Sequence, residues 1–122
     1  MAGRVAGWLL ATNLRMGPGR RVSLGDLIRD GQPWRFPLQV PALGMAVLLE
    51  GAGEHELGFA LSYGEEQIAP PLIVNVALQA EREWLFLERG PHTLPGAGIY
   101  IVDISLDGEI VEEAQLTLEK LG

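Results

Sequence analysis

Two histidines and sixteen carboxylates are the residues in this chain best suited to acid–base or metal chemistry, and no cysteine is present to add a thiolate. Glu54-His55-Glu56-Leu57 begins as a zinc-protease helix does. That motif needs a second histidine one helical turn on, where this chain has Phe59. The other histidine, His92, sits in the loop signal Arg89-Gly90-Pro91-His92. A metal-dependent hydrolase built on His55, His92 and acids therefore lacks ligand spacing, and two partly exposed imidazoles are expected instead. Asp103-x-Ser105-x-Asp107-Gly108 echoes the first half of a calcium loop, but the closing bidentate glutamate would fall at Ala114. Gly96-Ala97-Gly98 has Ile101 where a dinucleotide loop needs its third glycine, and Gly51-Ala52-Gly53 lacks the lysine and hydroxyl of a phosphate loop. Ser23, Ser62 and Ser105 lie outside any nucleophile elbow. The local acid pairs Glu54/Glu56, Glu65-Glu66 and Glu112-Glu113 read as a solvated rim.

Trp8, Trp34 and Trp84 admit two readings: a sugar-stacking platform, or core and interface residues. Trp34 lies in a proline-rich connection beside Arg35 and is the one expected to be most exposed. The candidate ligand or interface contacts are thus Trp34, Arg35, Trp8, Trp84, His55 and His92. No catalytic, cofactor or metal residue emerges.

The elements that would position these residues read as strands. Tyr100, Val102, Ile104 and Leu106 alternate, so they share one face of a strand. Asp107-Gly108 is a two-residue hairpin signal, because a type I′ turn needs positive φ at both central positions. Ala114, Leu116 and Leu118 make the dry face of the return strand. Val5 to Thr12 is a first strand, with Trp8 and Leu10 on one face and Leu9 and Ala11 on the other. Gly17-Pro18-Gly19 turns the chain, and 21–29 is read as a strand with Gly25 at a bulge or close backbone approach. Trp34 to Pro41 reads as an extended connection outside the ladders. Leu43 to Glu50 is apolar on both faces, as a central strand is. His55 to Tyr63 and Leu72 to Leu78 alternate, with Pro70-Pro71 expected to break pairing between them and one helical turn allowed at 79–83. Trp84 to Leu87 is a short apolar piece.

The spacing predicts one all-β domain over 1–122: an antiparallel sandwich of about seven or eight strands, immunoglobulin-like or jelly-roll-like, with at most one short helical turn. A chain of 122 residues is long enough for one core without staples. The net charge of −7 opposes general nucleic-acid binding. Residues 1–36 carry +4 and residues 37–122 carry −11, and pairing within the chain or between copies is the expected use of that asymmetry. The apolar run 6–11 is short for a secretory signal, and no stretch nears the roughly 20 residues of a membrane helix. A cytoplasmic location is expected.

Several stretches carry a family resemblance: Val22-Ser23-Leu24-Gly25-Asp26-Leu27-Ile28, Trp34-Arg35-Phe36-Pro37, Met45 to Glu50, Glu54-His55-Glu56-Leu57, and Leu94 to Tyr100 with Asp107-Gly108-Glu109. In their order they resemble a family of small uncharacterised bacterial proteins, a domain of unknown function expected to form an immunoglobulin-like β-sandwich. The resemblance implies a fold and brings no catalytic residue or cofactor. The functional expectation is a non-catalytic structural or protein-interaction module, a homo-oligomer or one with a protein partner. A small-ligand or carbohydrate-binding module is the alternative.

Overall fold

The computed structural model describes residues 3–121. Among them the chain forms twelve strands and no α-helix: β1 (Arg4–Ala11), β2 (Leu14–Met16), β3 (Val22–Leu24), β4 (Pro33–Trp34), β5 (Leu38–Val40), β6 (Leu43–Glu50), β7 (Gly53–Tyr63), β8 (Glu66–Leu78), β9 (Arg82–Arg89), β10 (His92–Leu94), β11 (Gly98–Leu106) and β12 (Glu109–Lys120). This exceeds the seven or eight expected from turn spacing, and the reason lies in the connections. Five of the strands are only two or three residues long. Four of these, β2, β4, β5 and β10, are carved from segments rich in glycine and proline.

The strands assemble into a three-stranded sheet, β1-β6-β9, and a five-stranded sheet, β4-β12-β11-β7-β8, with two ribbons, β2-β3 and β5-β10. Met45, Val47 and Leu49 from the first sheet share one hydrophobic cluster with Leu57, Val102 and Ile104 from the second. Alternation explains the choice of residues, since every second side chain on β11 is buried from Tyr100 to Leu106. Two larger sheets that bury side chains in one core are consistent with a β-sandwich. Tyr100 is the first buried residue of β11. It stacks on Tyr63 at 4.5 Å, and its hydroxyl donates to the Gly96 carbonyl at 2.7 Å.

The hairpin reading at Asp107-Gly108 holds. Leu106 pairs with Glu109, and the two turn residues have φ of 52° and 88°. Three expectations need correction. The connection after Trp34 does join ladders: β4 runs parallel to β12, and β5 pairs with β10. Proline is tolerated because Glu119 on β12 and Leu121 just beyond it donate to the carbonyls of Gln32 and Trp34, so Pro33 owes the ladder no N–H. Pro70-Pro71 shifts the register without ending the strand, since Phe59 faces Leu72 and Leu61 faces Ala69. Neighbouring nitrogens point to opposite edges of a strand, so one proline falls on the free side of β8, the outermost strand. The other falls where the register shift already interrupts the ladder with β7. Finally, 79–83 holds no helical turn. A single 3-10 turn occurs at Pro18–Arg20 instead, where Pro18 presets the backbone.

Both links from β6 to β7 and from β8 to β9 cross between the two larger sheets. They meet at one end of the molecule, where the Gly51 N–H donates to the Glu81 carbonyl at 2.9 Å. The β11-β12 turn lies at the same end, with the Asp107 N–H donating to the Glu56 carbonyl at 2.8 Å.

Candidate functional site

His55 lies on β7 just after the crossover, and its side chain is buried. Nε2 sits 2.7 Å from the Gly51 carbonyl and Nδ1 sits 3.1 Å from Asp107 Oδ2. Both partners are acceptors, so only the doubly protonated ring donates to both. The hydrogen bond to Asp107 raises the His55 pKa above its usual value of 6.5, with the Gly51 carbonyl adding to the effect. Asp107 in turn accepts the Glu56 N–H at 2.8 Å, and that bond, with His55 beside it, holds its carboxyl below the usual range. Gly3 closes the ring from above, because a Cβ there would meet His55 Cε1 at 2.7 Å.

A shallow depression of about 510 Å³ opens over this group, bordered by Glu54, Glu56, Asn75 and Asp107. His55 brings it no free nitrogen, since both are engaged. Among the described residues no cluster of three or more His, Cys, Asp or Glu is placed to hold a metal. The His–Asp pair echoes the base and orienting acid of a hydrolase triad, but a backbone carbonyl occupies the nitrogen that would face a nucleophile. Its geometry ties the crossover loop to the β11-β12 turn, with Gly3 packed close against the ring.

His92 does not join this group. Its ring lies beside the Ile68 backbone with Nε2 buried and unpartnered among the described residues, whereas His55 pairs with Val76 on the same strand. Eight residues of β8 separate those contacts, about 25 Å. Burial pushes the His92 pKa down, and Arg89 nearby acts in the same sense.

The tryptophans do not form a platform. Trp8 pairs with buried Val47 and packs on the core, while Trp84 pairs with Leu48 on the opposite face of the same sheet. Trp34 belongs to the other large sheet and is half-buried against the core, with its Nε1 enclosed. The expectation that Trp34 would be the exposed one is therefore corrected, because pairing with β12 draws it in. Trp84 is the exposed one, at 44%. Arg35 is exposed next to Trp34. The expected intramolecular use of the N-terminal arginines is met at Arg4, which pairs with Glu50 at 3.6 Å. Arg15, Arg21, Arg29 and Arg35 are exposed, with no ion pair among the described residues.

Trp84 belongs to a surface that sequence reasoning missed. On the outer face of the three-stranded sheet, pairing sets four rows across β1, β6 and β9. Arg4, Glu50 and Arg82 form the first, with Glu50 bridging both arginines, the second at 3.4 Å. Gly7, Leu48 and Trp84 form the next, then Leu9, Ala46 and Phe86, then Ala11, Gly44 and Glu88. Leu9 and Phe86 are 40% and 38% exposed. Leu14 packs over Gly44 and ends the apolar area on that side. The alternation Arg82-x-Trp84-x-Phe86-x-Glu88 was in the sequence, but nothing in it says which face of a central sheet stays uncovered.

No protein-family model matches the chain, and neither does any curated protein. No helix among the described residues is long and apolar enough to cross a membrane.

Proposed function

We propose that the protein is a non-catalytic interaction module, a single sandwich domain of immunoglobulin-like or jelly-roll-like arrangement. It works by presenting the outer face of its three-stranded sheet to another protein. The observation that carries this reading is the contiguous set Leu9, Leu48, Trp84 and Phe86 on neighbouring strands, three of them well exposed. Apolar area gathered on one sheet face, with ion pairs at its rim, is the usual character of a protein-binding surface. The immunoglobulin-like arrangement is supported by Tyr100, whose hydroxyl reaches back four residues to the Gly96 carbonyl in the manner of a tyrosine corner. Absence of cysteine suits a reducing compartment such as the cytoplasm.

Crosslinking in living cells tests the reading. A benzophenone side chain in place of Trp84 is expected to yield a covalent protein–protein adduct. The same probe in place of Ile73, which is 58% exposed on the five-stranded sheet, is expected to yield none. Adducts from neither position, or equally from both, would remove the outer face as the working surface.

A further inference from the structure

We infer that the occupant of this face is a second copy of the same chain, packed sheet on sheet about a twofold axis. The inference rests on the interaction-surface reading above and names its partner. The axis would run across the strands, in the plane between the two sheets, midway between the Leu48 and Ala46 rows. That operation leaves each strand over its own copy with its direction reversed, and it exchanges the first row with the fourth and the second with the third.

Each exchange brings together groups that fit. On β9, Trp84 meets Phe86 of the second copy, and Arg82 meets Glu88, with both contacts made twice. On β6, Leu48 lies over the third row, where Ala46 is itself buried and Leu9 and Phe86 supply the surface. On β1, Leu9 faces Gly7, and nothing lies within 4 Å of the place a Gly7 Cβ would occupy. The large Leu9 on β1 therefore finds a recess at Gly7, as an isologous interface requires. The charges are self-complementary as well. The row of Arg4, Glu50 and Arg82 carries one net positive charge, and the row it meets carries Glu88. An axis parallel to the strands would instead lay the arginine row on itself and like charges would oppose one another, so the charge pattern selects the reversed register.

At ordinary strand spacings the three strands span about 14 by 27 Å, and Leu14 over Gly44 covers part of this area at the fourth row. That is smaller than the roughly 800 Å² per partner of a standard interface, so the dimer forms reversibly with concentration.

Sedimentation of the purified chain from about 1 µM to about 1 mM tests this, since mass action then reveals a reversible dimer. The expected result is a monomer that becomes a closed dimer, without larger species. Trp84→Ser and Phe86→Ser each abolish the dimer while the circular dichroism spectrum is unchanged. Arg82→Glu and Glu88→Arg each weaken it on the order of tenfold, and the two together restore it. The restored double variant is the informative arm, because it still lacks the intramolecular Arg82–Glu50 pair. A wild-type monomer at every concentration would overturn the dimer and leave the interaction surface to its own crosslinking test. A dimer indifferent to residues 84 and 86 would overturn the placement of a second copy on this face and again leave the interaction surface to its crosslinking test. A dimer lost with those residues but indifferent to the charge reversals would overturn the twofold register.

Discussion

Both nitrogens of His55 face acceptors, and that favours its charged form. If the ring loses a proton while Nε2–H stays on the Gly51 carbonyl, the Nδ1 lone pair confronts the Asp107 carboxylate. A histidine whose pKa is raised by folding stabilises the fold fully below its unfolded value, 6.5, and loses that contribution as pH rises through the folded value. Asp107 has the opposite shift, so its contribution is full above 3.8 and falls away as pH drops through its lowered value. The pair therefore acts together between those two ordinary values. His92 is lowered by burial, so it works against folding as pH drops below 6.5. The wild-type profile mixes these effects, and the variants separate them. In His55→Gln, the decline in urea midpoint above pH 6.5 should disappear, while His92→Gln should leave it. The ring proton of His55 should titrate by NMR with a midpoint above 6.5, and a midpoint below it would mean the imidazolium clamp does not form.

Among the elements, strands with clean alternation were legible and those governed by packing were not. The pattern from Tyr100 to Leu106 and the Asp107-Gly108 turn gave the β11-β12 hairpin, because face and turn chemistry are local properties. Gly25 was marked as a bulge or close backbone approach in a strand over 21–29, but the strand ends at Leu24 and a Cβ at Gly25 would strike the Asn13 side chain. Pro70-Pro71 and the Trp34 segment were misread because proline's cost depends on whether its strand is an edge, which is decided by strand order. Asp107 as the partner of His55 was invisible, as 52 residues separate them. The face carrying Trp84 and Phe86 was equally hidden, because alternation tells that two faces exist and not which one another layer covers. Gly90 shows a similar dependence on a distant segment. A Cβ there would sit 2.8 Å from the Ala42 Cα and collide with the Pro41 carbonyl, both backbone groups that yield little. Gly90→Ala should therefore cost about 1–3 kcal/mol by separating the β9-β10 and β5-β6 links. Gly7→Ala, into open space, should be neutral or stabilising by about 0.5 kcal/mol when measured on dilute monomer by chemical denaturation. Equal losses at both glycines would show that backbone entropy, and not the close approach, sets the requirement at Gly90.

At the scale of the whole molecule, the two larger sheets have no separate cores to fall back on. Leu49 on β6 and Val102 on β11 are both fully buried and belong to one cluster. The chain crosses between those sheets at both β6-β7 and β8-β9, so one sheet cannot peel away without straining both links. Unfolding should then be a single cooperative event, as is usual for a domain of this size. Leu49→Ala should cost about 2–5 kcal/mol through lost burial and the cavity left behind. Because a domain holds only about 5–15 kcal/mol in total, that loss is large enough to read throughout the fold. Native-state hydrogen exchange provides the reading. The slowest amides of β6 and β11 should open with the same free energy in the wild type and lose the same amount in Leu49→Ala. If β11 kept its protection while β6 lost it, the five-stranded sheet would be stable alone, and the three-stranded sheet with its exposed face would be a separately unfolding layer resting on it.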